Sequence, residues 1–305
     1  MKIINVHNLT KKYDDITAVK DLNLQVDEGE ILGFLGPNGA GKTTTIRMLA
    51  GIIVPTEGYA EIAGQRTDGD IDRLHEVIGL LTETPGFYEK MSAIRNLQYF
   101  AGFYPIIDRN QRVEKYLKQI GLWERRHGRV GTFSKGMKQR LSLARTLVHE
   151  PKVIFLDEPT SGLDPEAAEE VRAIIKNLGK EGRTVILSTH NLSEAEKLCN
   201  RIAVIRTKLI ALDTSENLRH RFFKREIAIK LDNPSSTISD EIKKLDFVDD
   251  AEFQDDRLII RMNESGNNHA GLVNRVVEVG GNILEVTERE HPLEEIYLKL
   301  VREEK

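Results

Sequence analysis

Apolar and polar residues alternate along Ile3 to Leu9 and again along Leu22 to Val26, the two-residue period of strands with one buried face. Glu30 to Leu35 (EILGFL) is instead a short apolar run, suited to a strand buried on both faces, and Thr44 to Ala50 (TTIRMLA) continues as a helix. Gly58 to Gly64 (GYAEIAG) reads as another strand closed by glycines, and Val77 to Leu81 as a short apolar run. From Ala93 to His149 the signal turns helical, with Leu97, Phe100, Ala101 and Tyr104 at three- and four-residue spacing. Two more apolar runs, Val153 to Leu156 and Thr184 to Leu187, flank a helix that begins after Pro165, a residue suited to a first helical turn. Strands alternating with helices predict an α/β core, a mainly parallel sheet with helices packed on it. The helical stretch predicts a subdomain inserted into that core at about residues 84–150.

Near Arg219 to Lys224 (RHRFFK) the pattern resets, and the basic run reads as a solvated linker. Beyond it come strand (Glu226 to Leu231), helix (Thr237 to Leu245), strand (Arg257 to Met262), helix (His269 to Val279), strand (Ile283 to Thr287) and helix (Leu293 to Val301). The expected division is a domain over residues 1–218 and a small C-terminal α+β domain over residues 222–305.

Composition narrows the class. No apolar run approaches the roughly 18 residues of a membrane-spanning helix. The start, MKIINVHNLTKKYDD, has no signal-peptide core, and the single cysteine, Cys199, fits a reducing compartment, so a cytoplasmic location is expected. The net charge of −4 hides an asymmetry: from Phe222 onward 12 Lys and Arg face 19 Asp and Glu, and the earlier residues hold 32 against 29. A near-neutral body and an acidic tail leave no footprint for nucleic acid, and none is expected as a partner.

Between the apolar strand and the helix lie Gly36, Pro37, Asn38, Gly39, Ala40, Gly41, Lys42 and Thr43, a glycine-rich phosphate cradle followed by Thr44. The glycines let backbone N–H groups close around the β- and γ-phosphates of a nucleoside triphosphate. Lys42 is placed to set its ammonium between those phosphates, and Thr43 to offer a hydroxyl to Mg²⁺. Val153 to Glu158 (VIFLDE) is an apolar strand ending in two carboxylates, at the strand end where an α/β sheet gathers its reactive groups. Asp157 is expected to hold Mg²⁺ through water, and Glu158 to polarise the water that attacks the γ-phosphate.

With Pro159 to Asp164 following at once, VIFLDEPTSGLD resembles the second acidic motif and D-loop of ATP-binding cassette (ABC) ATPases. The rest of that family's set appears in its order over residues 1–215. Tyr13 matches the aromatic that stacks on adenine, Glu83 sits at the Q-loop, Ser134 and Gly136 fall at the signature motif, and His190 matches the switch histidine on the γ-phosphate. The resemblance implies a P-loop ABC-type nucleotide-binding domain that hydrolyses ATP with Mg²⁺. It assigns Lys42, Glu158 and His190 to catalysis, Thr43, Asp157 and Glu83 to the metal, and the cradle, Tyr13, Ser134, Gly136 and Asp164 to the nucleotide. It further implies a homodimer, or a heterodimer with a related cassette, in which ATP lies between one cradle and the opposite signature motif. Ser134 and Gly136 open a helix (Lys135 to Val148) whose N–H groups suit phosphate.

Three residues depart from the family pattern: Lys135 and Met137 replace a glycine and the glutamine of the signature, and Glu83 replaces the Q-loop glutamine. Lys135 could add a cation toward the nucleotide or simply point into solvent, and the second is favoured. A carboxylate at Glu83 donates no hydrogen bond, so slow hydrolysis by the isolated chain is expected. His7, His75, His127 and His149 lack metal-ligand spacing and read as surface or capping residues, and Trp123 as an anchor of the helical insertion.

The stretch ETPGFYEKMSAIRNL and the end HPLEEIYLKLV resemble ABC-2 type exporters. They imply a separate integral-membrane permease docked at about Glu83 to Tyr104 and a chain peripheral to the inner face of the cell membrane. The alternative, a non-transport ABC ATPase acting on ribosomes or DNA, usually has two fused cassettes or a coiled coil, and neither is read here. For the C-terminal domain, dimer stabilisation is favoured over ligand sensing.

Overall fold

The computed structural model describes residues 1–84, 86–222, 225–263, 269–289 and 293–302. Pro85 of the docking stretch, Phe223 and Lys224 of the basic run, and His291 and Pro292 of the C-terminal motif lie outside the described residues. The chain divides into two compact units, Met1–Thr214 and Ser215–Lys305.

The strands of the first unit are β1 (Lys2–Tyr13), β2 (Ile16–Asp27), β3 (Ile31–Leu35), β4 (Glu57–Ile62), β5 (Gln65–Arg66), β6 (Ile78–Leu81), β7 (Val153–Asp157), β8 (Thr184–Thr189), β9 (Arg201–Arg206) and β10 (Lys208–Asp213). Its helices are α1 (Lys42–Leu49), α2 (Ile71–Val77), α3 (Ala93–Ala101), α4 (Arg109–Gln119), α5 (Lys135–Leu147), α6 (Pro165–Lys180) and α7 (Leu192–Leu198). One sheet runs β10-β9-β3-β8-β7-β6, parallel except for β10 at its edge, and a second, antiparallel sheet runs β2-β1-β4-β5.

The parallel strands are buried on both faces, which is why they read as continuous apolar runs. In β7, Val153 and Phe155 pack into the core shared with the antiparallel sheet, beside Phe34, Ile46 and Ile186. Ile154 and Leu156 point the other way, toward Leu97, Leu117, Leu141 and Leu147 of the helical insertion. In α6, Val171, Ile174, Ile175 and Leu178 form one buried face at helical spacing, and Pro165 opens the helix.

Register sets where the site lies. Leu35 at the end of β3 pairs with Thr189 at the end of β8, and Asp157 at the end of β7 pairs with Ser188. The chain segments leaving β3, β7 and β8 therefore emerge together at one edge of the parallel sheet, the carboxyl edge where open α/β sheets bind ligands.

In the second unit, α8 (Ser215–Phe222) and α11 (Leu293–Arg302) flank a compact βαββαβ sequence: β11 (Glu226–Leu231), α9 (Ser236–Ile242), β12 (Val248–Gln254), β13 (Arg257–Met262), α10 (His269–Glu278) and β14 (Ile283–Arg289). The antiparallel order β12-β13-β11-β14 is that of the ferredoxin-like split βαβ motif. Ile227, Ile229, Leu258 and Ile260 pack against Ile238, Ile242, Leu272 and Val276.

Several elements differ from expectation. Most of the basic run at Arg219 is helical, within α8, and Leu218 beside it is buried. Strand β12 carries no two-residue alternation in the sequence, because Asp249, Asp250 and Glu252 interrupt its apolar residues and a register shift lies between Val248 and Asp250. Strands β9 and β10 and helices α2 and α7 are further elements beyond those expected, and β1 and β2 run longer than their alternating segments, 12 residues each.

Candidate active site

The cradle connects β3 to α1, and crowding explains its glycines. A Cβ on Gly36 would meet the Ile205 carbonyl oxygen at 2.3 Å, and one on Gly41 would meet that of Ala18 at 2.5 Å. Gly41 also has a φ of +97°, in the left-handed region that favours glycine. This loop folds back so that Lys42, the first residue of α1, is buried with its ammonium inside it. Lys42 Nζ donates to the carbonyl oxygens of Gly36 at 2.7 Å and Pro37 at 3.2 Å, and lies 3.5 Å from Glu158 Oε1.

Thr43 points the other way, to the end of β7. Its hydroxyl donates to Asp157 Oδ1 at 3.0 Å, and Ser188 from β8 donates to the same oxygen at 2.6 Å. Asp157 is buried. The Glu158 N–H donates to Ser188 Oγ at 3.0 Å, so one serine holds both acidic residues. Glu158 itself takes a φ of +49°, a conformation seldom adopted by a residue with a side chain. Its Oε2 lies 2.9 Å from His190 Nδ1.

These groups line a cavity of about 450 Å³ that runs along the cradle from Pro37 to Thr44 and is closed by Ala18, Glu83, Glu158, Ser161 and His190. A buried ammonium, an N-terminal helical turn and a ring of loop N–H groups suit a polyphosphate. The hydroxyl of Thr43 beside the Asp157 carboxylate is an all-oxygen donor set, which fits a hard cation such as Mg²⁺.

The remaining sequence candidates lie outside the cavity lining and carry structural duties on this chain. Tyr13 ends β1, partly exposed, with Lys11 Nζ 5.0 Å from its ring centre. Ser134 caps α5, its hydroxyl accepting from the Met137 N–H at 3.2 Å. Gly136 is buried where a Cβ would stand 2.6 Å from that of Ala167. Asp164 caps α6, accepting from the Ala167 N–H at 2.9 Å.

One expectation needs correction. Lys135 does not simply point into solvent: its ammonium donates to the Gly162 carbonyl oxygen at 3.0 Å, tying the start of α5 to the turn before α6. Of the surface and capping roles expected for it, His149 takes the capping one, at Ile78 at the end of α2. Its Nε2 lies 2.7 Å from the Ile78 carbonyl oxygen, its ring stacks on Tyr104 at 3.9 Å, and burial pushes its pKa down. His75 does cap, with Nε2 3.1 Å from the carbonyl of Ala50 at the end of α1. Ser188 is a site residue beyond the sequence candidates, and Ser161, within the acidic motif and D-loop, joins the cavity wall. Ser188 stands two residues before the singled-out His190, and that proximity is the signal that points to it.

The profile of the ABC transporter family matches residues 19–161. A bacitracin transport ATP-binding protein of Bacillus licheniformis is 38% identical over 301 residues, covering 98% of this chain and 97% of its own. The chain belongs to the ABC transporter ATP-binding proteins. A fluoroquinolones export ATP-binding protein of Mycobacterium tuberculosis is 37% identical over 232 residues, 75% of this chain and 76% of its own. Among solved structures, the ATP-binding subunit of an ABC transporter matches with a TM-score of 0.66 and 29% identity, over 72% of this chain and 93% of that one. A dimeric ATP-binding cassette in a post-hydrolysis state with ADP and Pi matches with a TM-score of 0.63 and 28% identity, over 69% and 98%. This ABC ATPase binds ATP, and subunits of its kind dimerise and work with membrane permease subunits. No helix among its described residues is long and apolar enough to cross a membrane.

Proposed function

We propose that this cassette drives an exporter whose permease is a separate chain, that it works on the inner face of the cell membrane, and that it closes as a homodimer or with a related cassette. The observation that carries the hydrolytic part is the Glu158 carboxylate, held at once by Lys42 and His190 at the mouth of the phosphate cradle. The exporter part is supported by the relatives named for bacitracin transport and fluoroquinolone export, the first of them alike along almost the whole chain.

In this reading the cradle N–H groups and Lys42 bind the β- and γ-phosphates. Glu158 Oε1 or Oε2 takes up the proton of the attacking water, and His190 holds that carboxylate and contacts the γ-phosphate. Thr43 and Asp157 would hold Mg²⁺, with Glu83, which lines the same cavity as Thr43, as a further oxygen donor; the ion would supply charge neutralisation at the phosphates. Tyr13 stacks on the adenine. Ser134, Gly136 and Asp164 act across the dimer, on the nucleotide held by the opposite cradle, which is why they lie outside the cavity of their own chain. Closure around ATP excludes water and strengthens these contacts.

The permease docks at the exposed aromatic cluster before and along α3. Tyr88 and Tyr99 meet edge to face at 4.9 Å with their hydroxyls 3.2 Å apart, and Phe103 packs on Tyr99 at 5.3 Å while remaining 69% exposed. Clustered exposed aromatics of this kind suit an interaction site. Beneath it, Arg145 stacks on Phe87 and Phe100 and donates to the Gly86 carbonyl oxygen at 2.6 Å, joining the patch to α5.

The test is retention of a partner by tagged Glu158→Gln protein with ATP and Mg²⁺ from detergent-solubilised membranes of the host. A multi-span membrane protein held at near-equal stoichiometry is expected. Ribosomes or nucleic-acid proteins in its place, with no membrane subunit, would sink the exporter reading.

A further inference from the structure

A carboxylate that plays no part in the chemistry above is buried next to it. Glu194, on α7, is 3% exposed, and no cation among the described residues pairs with it. Two threonine hydroxyls hold it instead, one from each of the segments that carry the hydrolytic pair. Thr160, two residues after Glu158, donates to Glu194 Oε1 at 2.5 Å, and Thr189, immediately before His190, donates to Oε2 at 2.7 Å.

A charge is costly to bury without a cation, and an apolar residue would fill this place on α7 without that cost. Nor does α7 need Glu194 for its cap, because Asn191 supplies it, accepting from the Glu194 N–H at 3.1 Å. What the carboxylate does uniquely is accept from both segments at once, with one oxygen for each. Thr189 Oγ1 also accepts from the Asn191 N–H at 3.0 Å, so the backbone on either side of His190 is fixed from the same point. On the far side, Gln139 of α5, itself buried, donates to the Pro159 carbonyl oxygen at 2.6 Å. Hydrogen bonds and one turn of chain thus lead from α5 through Pro159 and Thr160 to Glu194, Thr189 and His190. The left-handed backbone of Glu158 sits inside this frame, its carbonyl accepting from the Ser161 N–H at 3.1 Å. A conformation of that kind persists where its surroundings over-determine it.

We infer that Glu194 is a positioning residue for hydrolysis, clamping the segment after Glu158 to the segment before His190 and linking both to α5 through Gln139. The inference rests on the reading of Glu158 and His190 as the hydrolytic pair. Loss of the clamp leaves the cradle intact, so ATP binds as before while Glu158 and His190 lose their fixed separation.

The test is single-turnover ATP hydrolysis by the full purified chain in excess over ATP, with ATP affinity and the thermal midpoint measured alongside. Glu194→Ala should hydrolyse about tenfold or more slowly with its ATP affinity within about twofold of wild type. Glu194→Gln should recover most of the rate, because its amide still meets both threonines once one hydroxyl turns to accept. Thr160→Val and Thr160→Ser give the same contrast without touching α7, the valine slow and the serine near wild type, and they decide the matter if Glu194→Ala does not fold. Hydrolysis at the wild-type rate in Glu194→Ala or Thr160→Val, or a loss that follows ATP affinity, overturns the inference. Glu158→Gln is the control: if it hydrolyses normally, the hydrolytic pair itself is wrong and the clamp falls with it. If Glu158→Gln is inactive while Glu194→Ala is not, only the clamp falls.

Discussion

His190 Nδ1 lies 2.9 Å from Glu158 Oε2, and the opposite oxygen of the same carboxylate lies 3.5 Å from the buried ammonium of Lys42. The carboxylate is therefore held at both ends, by the first residue of α1 and by the residue that follows β8, at the wall of the cavity. In the proposed reading, Lys42 supplies the charge that keeps this acid tolerable beside the phosphates, and His190 fixes the direction of its lone pairs.

Glu158→Gln keeps the shape of that side chain and removes its basicity. Steady-state ATP hydrolysis should fall on the order of 100-fold or more, the scale of a lost general base, while ATP binding survives. His190→Ala should reduce hydrolysis comparably with little change in ATP affinity. A Glu158→Gln enzyme that keeps most of its turnover would show that another group activates the water.

Gly41 stands where both conformation and space demand glycine, with φ at +97° and the Ala18 carbonyl 2.5 Å from the place of a Cβ. Gly41→Ala should cost about 1–2 kcal/mol for the backbone alone. The larger effect is on the loop, which must shift away from β2 and carry Lys42 with it. Titration with a fluorescent ATP analogue should show affinity reduced by about tenfold or more. Unchanged affinity would mean that the cradle tolerates a different path.

How much of this was open to sequence reading depends on where each partner lies in the chain. The cradle, Asp157 and Glu158 are contiguous segments between an apolar strand and the next turn, so their chemistry is written locally. Ser188 is different: its contact with Asp157 joins residues 31 apart and exists only because β7 and β8 pair in one register. Glu194 is less legible still, since nothing in its local sequence distinguishes it from a solvated acid on a short helix. The direction of Lys135 likewise depends on where the fold puts the Gly162 carbonyl. In the C-terminal unit, the acid-rich β12 shows that a strand with only Val248 and Ala251 fully buried loses its two-residue period when carboxylates occupy the interval.

Glu83 places a second carboxylate on the cavity that also holds Glu158. Like charges around a polyanionic substrate weaken its binding unless a cation intervenes. Glu83→Gln removes one negative charge and adds an amide donor. The expected outcome is an increase of about threefold to tenfold in kcat/KM for ATP. The amide oxygen can still face Mg²⁺ as the carboxylate does, so a fall in kcat/KM would mean that the metal needs the full negative charge of Glu83.

His149 gives the fold a pH dependence that can be assigned in sign. A carbonyl oxygen only accepts, so the hydrogen in the 2.7 Å contact with Ile78 sits on Nε2, and Nδ1 is left bare. That Nδ1 is buried without a hydrogen-bond partner among the described residues. Burial, ahead of the nearby Arg112 and Arg183, lowers the pKa from its ordinary 6.5, opposed by the bond to Ile78. Because the folded pKa is the lower one, the unfolded chain takes up a proton that the folded chain refuses. The stabilisation is complete above the unfolded value of about 6.5 and is lost as the pH falls below it. His149→Gln keeps a donor for Ile78 but cannot titrate and gives up the stacking on Tyr104. At pH 7.5 it should be less stable than wild type by about 1 kcal/mol, and by pH 5.5 the gap should narrow or close. Urea unfolding at the two pH values measures this directly. A gap that stays constant would mean that His149 protonates equally in both states, and that its buried Nδ1 reaches solvent in the folded chain.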